Sequence, residues 1–566
     1  MRSKVRKPSK SWRLWLVGSV IGSCALIICT RLVWLHVFEN QHLQGIGDEL
    51  TNRHQDIPAY RGMITDRFGE PLAVSTPVFR IGVRPAELIG TPWAKKLAPF
   101  LDRSPEQLEQ RVAQSLLPYL FLSRNVTPEG SAKIEALKLK GVKVEQQFRR
   151  FYPAGEVASH LLGFTDIDDE AQEGLELSFD HWLSGQDGSR HVLANRRANV
   201  VRYISAGEEV EHGKDLRLSI DLRLQYLTYR ALKGAVDRSK AVGGSAVLVD
   251  AWSGEILALA AQPAFNPNNI SSRTPDRVRN RTVSDMHEPG SSIKPFTIAT
   301  AIDLGLIQSD TQIETTPGQF RVQGNVISDF KNYGLIDVSR VLSKSSNVGV
   351  AKIGLMMEPS ALRDRLALLG FGQSTGIGFP GEAEGSLPSF AAWGDMDRAA
   401  LSFGYGLNAT TIQLAQAYSV FANAGVLKGL TLLSGGATPK PLAVFKAGTI
   451  EQVLPMLEAV TQVGGTATQA QVPMYRVGGK TGTTQKLSAG GSYASRQYVA
   501  SFVGIAPLSN PRFVMAISVD DPRSQRYFGG QVAAPVFADV MDDVMRIYDI
   551  EPDSPKTRIL AGRIAQ

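Results

Sequence analysis

The sequence predicts a membrane-anchored protein of the α/β class: one N-terminal transmembrane helix, a mixed α+β region to about residue 215, and a larger α/β domain in which helices cover an antiparallel sheet. Three observations predict it. An uncharged apolar run lies close behind the N-terminus, the composition changes sharply near 215, and beyond that point strand-like segments come first and last with helical ones between.

The 566 residues are too many for one ordinary domain, and 43% hydrophobic with 20% charged residues fits neither a disordered chain nor a polytopic membrane protein. The formal net charge of +7 is local, because Arg2, Lys4, Arg6, Lys7, Lys10 and Arg13 supply six of those charges, so nucleic-acid binding is not expected. "LWLVGSVIGSCALIICT", Leu14 to Thr30, carries no charge and reads as a bilayer span over 14–38. The basic segment 1–13 then lies in the cytoplasm and everything past the span on the far side. A cleaved signal peptide fits less well, because the run exceeds a usual signal core and lacks an A-x-A-like cleavage site. "IGSC" resembles a lipoprotein box, but the residues after Cys24 stay apolar. Cys24 and Cys29 are the only cysteines and both lie in the span, so the exported part is expected to have no disulfide, no cysteine nucleophile and no Cys-ligated metal.

From 39 to 215, β-like runs such as "FRIGVRP" alternate with helical stretches such as "SPEQLEQRVAQSL". A charged connector then gives way to a strand, Leu216–Ile220, and a helix capped by Asp221. The domain expected over 216–550 opens with the hairpin "GGSAVLVDAWSGEILALAAQP", which turns at Trp252-Ser253-Gly254. Helices such as "ATTIQLAQAYSVFANAG" follow, and strands return in "YVASFVGIAP" and "RFVMAISVDD", so the two ends of the domain are expected to meet in one sheet, with a tail over 551–566.

"MHEPGSSIKPF", Met286 to Phe296, places a turn signal before a helical pattern. Pro295 is acceptable there if the helix begins at about Ser291, because the first backbone N–H groups of a helix have no intrahelical partner to lose. Ser291 then stands at the N-terminus with Lys294 one turn on, which suits a serine nucleophile, a lysine base of lowered pKa, and a backbone N–H aimed at an oxyanion. A lone S-x-x-K is weak, and a second match, Ser328-Asp329-Phe330-Lys331, reads as a surface coincidence. The first match has company in Ser345-Ser346-Asn347 and in Lys480-Thr481-Gly482-Thr483, about 50 and then 135 residues further on.

These three motifs, in this order, resemble the active site of the penicilloyl-serine transferase superfamily. The resemblance extends to class B penicillin-binding proteins. "RGMITDRFGEPLAVS", "RRFYPAGEVASHLLGFTDID" and "EGLELSFDHWLSGQDGSR" look like their elongated non-catalytic pedestal. "LGFGQSTGIGFPGE", "FGYGLNATTIQLAQAYSVFANAG" and "YVASFVGIAPLSNPRFVMAISVDDP" look like their transpeptidase domain, which adds an all-helical lobe to the sheet. "EPGSSIKP", with Glu288, is closer to the cell-division (septal) type, penicillin-binding protein 3, than to the elongation type. Thr484, where the family commonly has alanine or serine, and an irregular stretch from Lys428 to Gly448 leave room for a divergent paralogue.

The resemblance implies a D,D-transpeptidase of the inner membrane that joins peptidoglycan stem peptides, is blocked by β-lactams, needs no metal or organic cofactor, and works with a membrane glycosyltransferase and other division proteins. Ser291 would attack the D-Ala-D-Ala carbonyl and lose its proton to Lys294, and Lys480 would keep Lys294 neutral and attract the donor carboxylate. Ser345 would relay a proton to the leaving D-alanine, and Asn347 would hold the substrate backbone and Lys294. Thr481 and Thr483 would hold the carboxylate, and the Thr483 N–H would complete the oxyanion hole with that of Ser291. Gly478, Gly479 and Gly482 would let a peptide add to the strand edge, and an amine acceptor would release the product.

His287 is read as solvated or structural rather than as a base. Asp285, Glu288 and Asp329 are read as solvated loop acids, leaving no second base for hydrolysis. Tyr405, Tyr493, Tyr498, Tyr527 and Phe528 are candidates for the cleft wall. The competing readings are a carboxypeptidase or β-lactamase of the same superfamily, which needs neither anchor nor pedestal; an antibiotic sensor, for which the cytoplasmic segment is too short; and a non-catalytic division scaffold, which predicts decayed motifs.

Overall fold

The computed structural model of the protein describes residues 11–40, 52–194, 200–389, 394–436, 438–487 and 493–554. It forms two compact units. The first, Met1–Tyr60 with Gly185–His212, contains the helix Ser11–Val37 and a three-stranded antiparallel sheet of Asn52–Ile57, Gly188–Ala194 and Val200–Ala206, in that order. Within Trp12–Val37, an 18-residue stretch has a mean hydropathy of 2.0 and none of it is buried. Its 27 residues rise about 40 Å, more than the roughly 30 Å hydrocarbon core of a bilayer.

The second unit, Arg61–Ser184 with Gly213 onward, contains residue 215 and joins most of the pedestal region to the α/β domain. Strand β1 (Pro71–Val83) pairs antiparallel with both β2 (Leu120–Val126) and β3 (Val142–Phe151). One end of this sheet is shared: Leu216–Arg217 pairs parallel with Ile64–Thr65. Ile81, Val83, Trp93 and Leu122 make a separate core, whereas Ile64, Leu72, Leu161 and Leu175 belong to the same core as the α/β domain. At that junction the three pedestal stretches recognised in the sequence converge on buried charge. Glu176 accepts from Arg61 Nε and Arg150 Nε at 2.6 Å each, while Arg61 also donates to Asp180 and Arg150 to Gly62 O. All three side chains of this triad are buried, so each charge depends on its partners to offset lost hydration.

Beyond 221, helix α1 (Leu222–Ser239) starts on an Asp221 side chain that accepts from Arg223 N, as its sequence predicts. The hairpin follows as β4 (Gly243–Asp250) and β5 (Glu255–Gln262), and all but Glu255 of its strand residues are buried. The chain then passes through α2 (Lys294–Asp303), α3 (Asn347–Met356) and α4 (Thr411–Ala422) before returning as β6 (Gly478–Leu487), β7 (Tyr493–Ala506), β8 (Phe513–Asp520) and α5 (Ala534–Ile547). The sheet order is β5-β4-β8-β7-β6, antiparallel throughout, so the two ends of the domain meet between β4 and β8. Strand β6 is an edge.

Candidate active site

The Pro-Gly turn is held by its backbone. His287 exchanges two hydrogen bonds with Ala409, and Gly290 N donates to Gly404 O at 3.0 Å. Gly290 has φ +54°, and a Cβ there would lie 2.3 Å from Thr484 Cγ2, so two constraints demand glycine. The α-helix begins at Lys294, not at Ser291: residues Gly290–Ile293 form one 3₁₀ turn ahead of it, with Pro295 in the first α-helical turn. Side chains at i and i+3 eclipse in a 3₁₀ turn, so the tighter winding favours alignment of Ser291 with Lys294. Helix α2 is buried from Lys294 to Ile302, with Phe296 stacked on Phe421 and edge-on to Tyr418. Tyr418 Oη in turn donates to Ser292 O at 2.6 Å.

Lys294 and Lys480 are both 0% exposed and meet at Ser345. Lys294 Nζ donates to Ser345 O at 2.6 Å, Asn347 Oδ1 at 2.7 Å and Ser345 Oγ at 3.2 Å. Lys480 Nζ donates to Ser345 Oγ and to Thr481 O, each at 3.0 Å. Ser345 reaches both lysines from a left-handed backbone, φ +59°, that non-glycine residues seldom adopt. Burial and the neighbouring Lys480 charge push the Lys294 amine well below its ordinary value, Asp329 pulling the other way, and burial brings Lys480 down to about 7. Ser291 Oγ makes no hydrogen bond among the described residues, and Ser291 is partly exposed where Lys294 is buried.

Asp329 is the residue that sequence reasoning missed. It accepts from Asn347 N at 2.5 Å, Val348 N at 3.0 Å and Ser346 Oγ at 2.6 Å, while Ser328 O accepts from Asn347 Nδ2 at 3.1 Å. With its NH₂ committed to Ser328 O, the Asn347 amide must turn Oδ1 to Lys294. Ser328 and Lys331 of the second S-x-x-K match are exposed, as a surface coincidence would be, but the Ser328 backbone and the Asp329 carboxylate orient the S-x-N motif. No local signal announces this, because the partners are 17 to 19 residues apart, with a short strand and a short helix between them.

The other acids are also held by partners. Asp285 pairs with Arg279 and Arg281, and buried Glu288 accepts from Gly406 N at 2.9 Å and Tyr493 Oη at 3.1 Å. His287 lies 3.4 Å from Ser518 Oγ, over the sheet, and burial lowers its pKa to about 4, so it forms no pair with Ser291.

On β6, Thr481 Oγ1 meets Thr466 Oγ1, and Thr483 Oγ1 donates to Gly482 O and accepts from Gly529 N. The strand glycines answer to protein neighbours. A Cβ on Gly482 would lie 2.8 Å from both Pro289 O and Ser292 Oγ, and one on Gly479 would lie 2.4 Å from Val503 O. Tyr498 stacks on Tyr527 and Tyr527 on Phe528, next to Gly529, while Tyr405 meets Tyr493 edge-on beside Glu288.

The family model for the penicillin-binding protein transpeptidase domain matches residues 244–542, more than half of the chain and all of these motifs. The chain belongs to this family. The model of the penicillin-binding protein dimerisation domain matches residues 56–218. Peptidoglycan D,D-transpeptidase FtsI of Escherichia coli K12 is 39% identical over 571 residues, covering 98% of this chain and 96% of the relative. Among solved structures, the transpeptidase domain of Burkholderia pseudomallei penicillin-binding protein 3 is 40% identical with a TM-score of 0.55, covering 60% of this chain and 98% of that one. A peptidoglycan synthetase from Bifidobacterium adolescentis is 27% identical with a TM-score of 0.71, covering 89% and 98%. The two-domain penicillin-binding architecture expected from sequence is thus the one the chain has.

Proposed function

We propose that the protein is a serine-type peptidoglycan D,D-transpeptidase of cell division, acylated at Ser291 and blocked there by β-lactams. The observation that carries the reading is the meeting of two buried, pKa-depressed lysines on Ser345, one of them three residues after Ser291 at the end of the same 3₁₀ turn. A neutral Lys294 has two N–H bonds for its two short acceptors, Ser345 O and Asn347 Oδ1, and a lone pair left to take the Ser291 proton. The Ser291 oxygen bonds to the penultimate D-Ala carbonyl carbon. The oxyanion rests on the N–H groups of Ser291 and Thr483, where losing one donor typically costs on the order of 3 kcal/mol. Ser345 Oγ accepts from both lysines, which frees its own proton to pass to the leaving D-alanine nitrogen as the C–N bond breaks, the Lys294 proton replacing it. Lys480, Thr481 and Thr483 take the donor carboxylate, the peptide adds along the edge strand β6, and Asn347 holds its backbone.

An acceptor amine on a second stem peptide then displaces the ester. Among the described residues, the acids nearest the motifs are not free to serve hydrolysis as a base, because Asp285, Glu288 and Asp329 are each held by other partners. One N-terminal apolar helix fits a single-pass inner-membrane protein, and we place its N-terminus in the cytoplasm, residues 39–215 as a pedestal for division proteins and a glycosyltransferase, and 216–550 as the catalytic domain.

The test is labelling with a fluorescent penicillin. Ser291→Ala removes the label, mass spectrometry finds the acyl group on Ser291, and the adduct persists for many minutes. Turnover of a chromogenic cephalosporin at several per second would replace the transferase reading with a hydrolase.

A further inference from the structure

Thr484 stands directly after Thr483 on β6, where the family commonly has alanine or serine, and nothing in the chemistry above uses it. Its side chain is 3% exposed and reaches across to the nucleophile's turn. Oγ1 donates to Glu288 O at 3.0 Å, and Cγ2 occupies the space against Gly290 that a Cβ there would need. We propose that Thr484 is a positioning residue for acylation: it ties the strand that carries the Thr483 N–H to the turn that carries the Ser291 N–H, and so sets the spacing of the two oxyanion donors. The proposal rests on Ser291 being the nucleophile.

The turn also packs on β6 through Gly482, which lies against Pro289 O and Ser292 Oγ, but hydrogen bonds between the two are few. Gly290 N is bonded to Gly404 O, the Glu288 carboxylate to Gly406 N and Tyr493 Oη, and His287 to Ala409, all of which belong to other elements. The Thr484 hydroxyl is the one side-chain hydrogen bond, among the described residues, that joins residues 286–291 to β6, and it is the one donor to Glu288 O. It sits one residue from Thr483 and three from Ser291, so little backbone intervenes through which a shift could be absorbed. An oxyanion hole acts through fixed distances, and its donors count only when both meet the oxygen at hydrogen-bond range. Alanine at this position would leave Glu288 O without its donor inside a buried turn; serine would keep it.

The hydroxyl and the methyl can be separated by substitution. Thr484→Val keeps the filling against Gly290 and removes the hydrogen bond, while Thr484→Ser does the reverse. In stopped-flow acylation by a penicillin, Thr484→Val is expected to lower the acylation rate constant about tenfold, a fraction of the loss seen when a whole donor is removed, with the dissociation constant of the pre-acylation complex within about twofold. Thr484→Ser recovers most of the rate, and Thr484→Ala behaves as Val. A boronic acid, whose tetrahedral adduct places an anionic oxygen in the hole, should weaken against Thr484→Val by the same factor as the rate. A folded Thr484→Val that acylates at the wild-type rate would overturn the proposal. So would Thr484→Ser falling as far as Thr484→Val, since packing alone would then be responsible, or a loss confined to the dissociation constant. Should Val fail to fold, Ala against Ser makes the same comparison. Retention of label by Ser291→Ala would instead sink the assignment of the nucleophile, whatever Thr484 does.

Discussion

Replacing Asp329 by asparagine should produce two effects of opposite sense. The carboxylate receives three donors, two of them backbone N–H groups at the start of α3. Hydrogen bonds to a charged acceptor contribute about 1.5–3 kcal/mol against about 0.5–1.5 for neutral ones. Asparagine keeps the two bonds at Oδ1 in neutral form and turns the other acceptor into a donor facing Ser346 Oγ. The loss is therefore about 1 kcal/mol for each of three bonds, some 3 kcal/mol in all. Loosening the start of α3 frees the Asn347 amide, so the plateau acylation rate should fall by ten- to a hundredfold, comparable to losing part of a general-base contribution. At the same time Asp329 is the group that raises the Lys294 pKa. Without it Lys294 stays neutral to lower pH, and the acid limb of the acylation profile should move down. Acylation rates from a pH series, with denaturant unfolding alongside, measure both. An unchanged plateau, or an acid limb that moves up, would refute the argument.

The Lys480 charge lowers the Lys294 pKa, so Lys480→Met should raise that pKa, shrink the neutral fraction at any given pH and shift the acid limb upward; a downward shift in the pH–rate profile would contradict this. Glu176→Gln leaves buried Arg150 without its carboxylate partner and Arg61 with Asp180 alone, and should cost about 3–5 kcal/mol in denaturant unfolding, whereas a change under about 1 kcal/mol would mean that water reaches the triad. A reporter that works only outside the membrane, fused after Gln566, should be active; an inactive fusion, or a mature N-terminus at Cys24 or beyond, would reverse the proposed topology.

What the sequence made legible was local or short in range. The alternation of residues 243–262 around Trp252-Ser253-Gly254 specifies the hairpin, Asp221 announces α1, and Pro295 fixes the nucleophile's helix to within one turn. The switch from α to 3₁₀ at Ser291 was not legible, because it depends on Gly290 being held by Gly404 more than 100 residues away. Glu288 reads as a loop acid until Gly406 and Tyr493 arrive from distant segments to bury it. Gly479 and Gly482 signal close approach correctly, but only the fold shows that Val503 O and the Pro289–Ser292 turn are what approach. The three pedestal stretches could be matched by resemblance, yet their reason, one carboxylate shared by Arg61 and Arg150, is a matter of tertiary proximity.

The pairing of β4 with β8 also has a consequence for biosynthesis. These central strands lie more than 250 residues apart in the chain, and the edge strand β6 joins the sheet only through β7. A chain made from its N-terminus therefore has Ser291, Lys294 and Ser345 long before it has anything to hold them. Strand β4 lacks its second partner until β8 is made, and such long-range closure is slow and exposes the chain to aggregation. Any truncation before residue 513 should leave the sheet open between its halves and the enzyme unable to mature, even with every catalytic side chain up to Thr483 present.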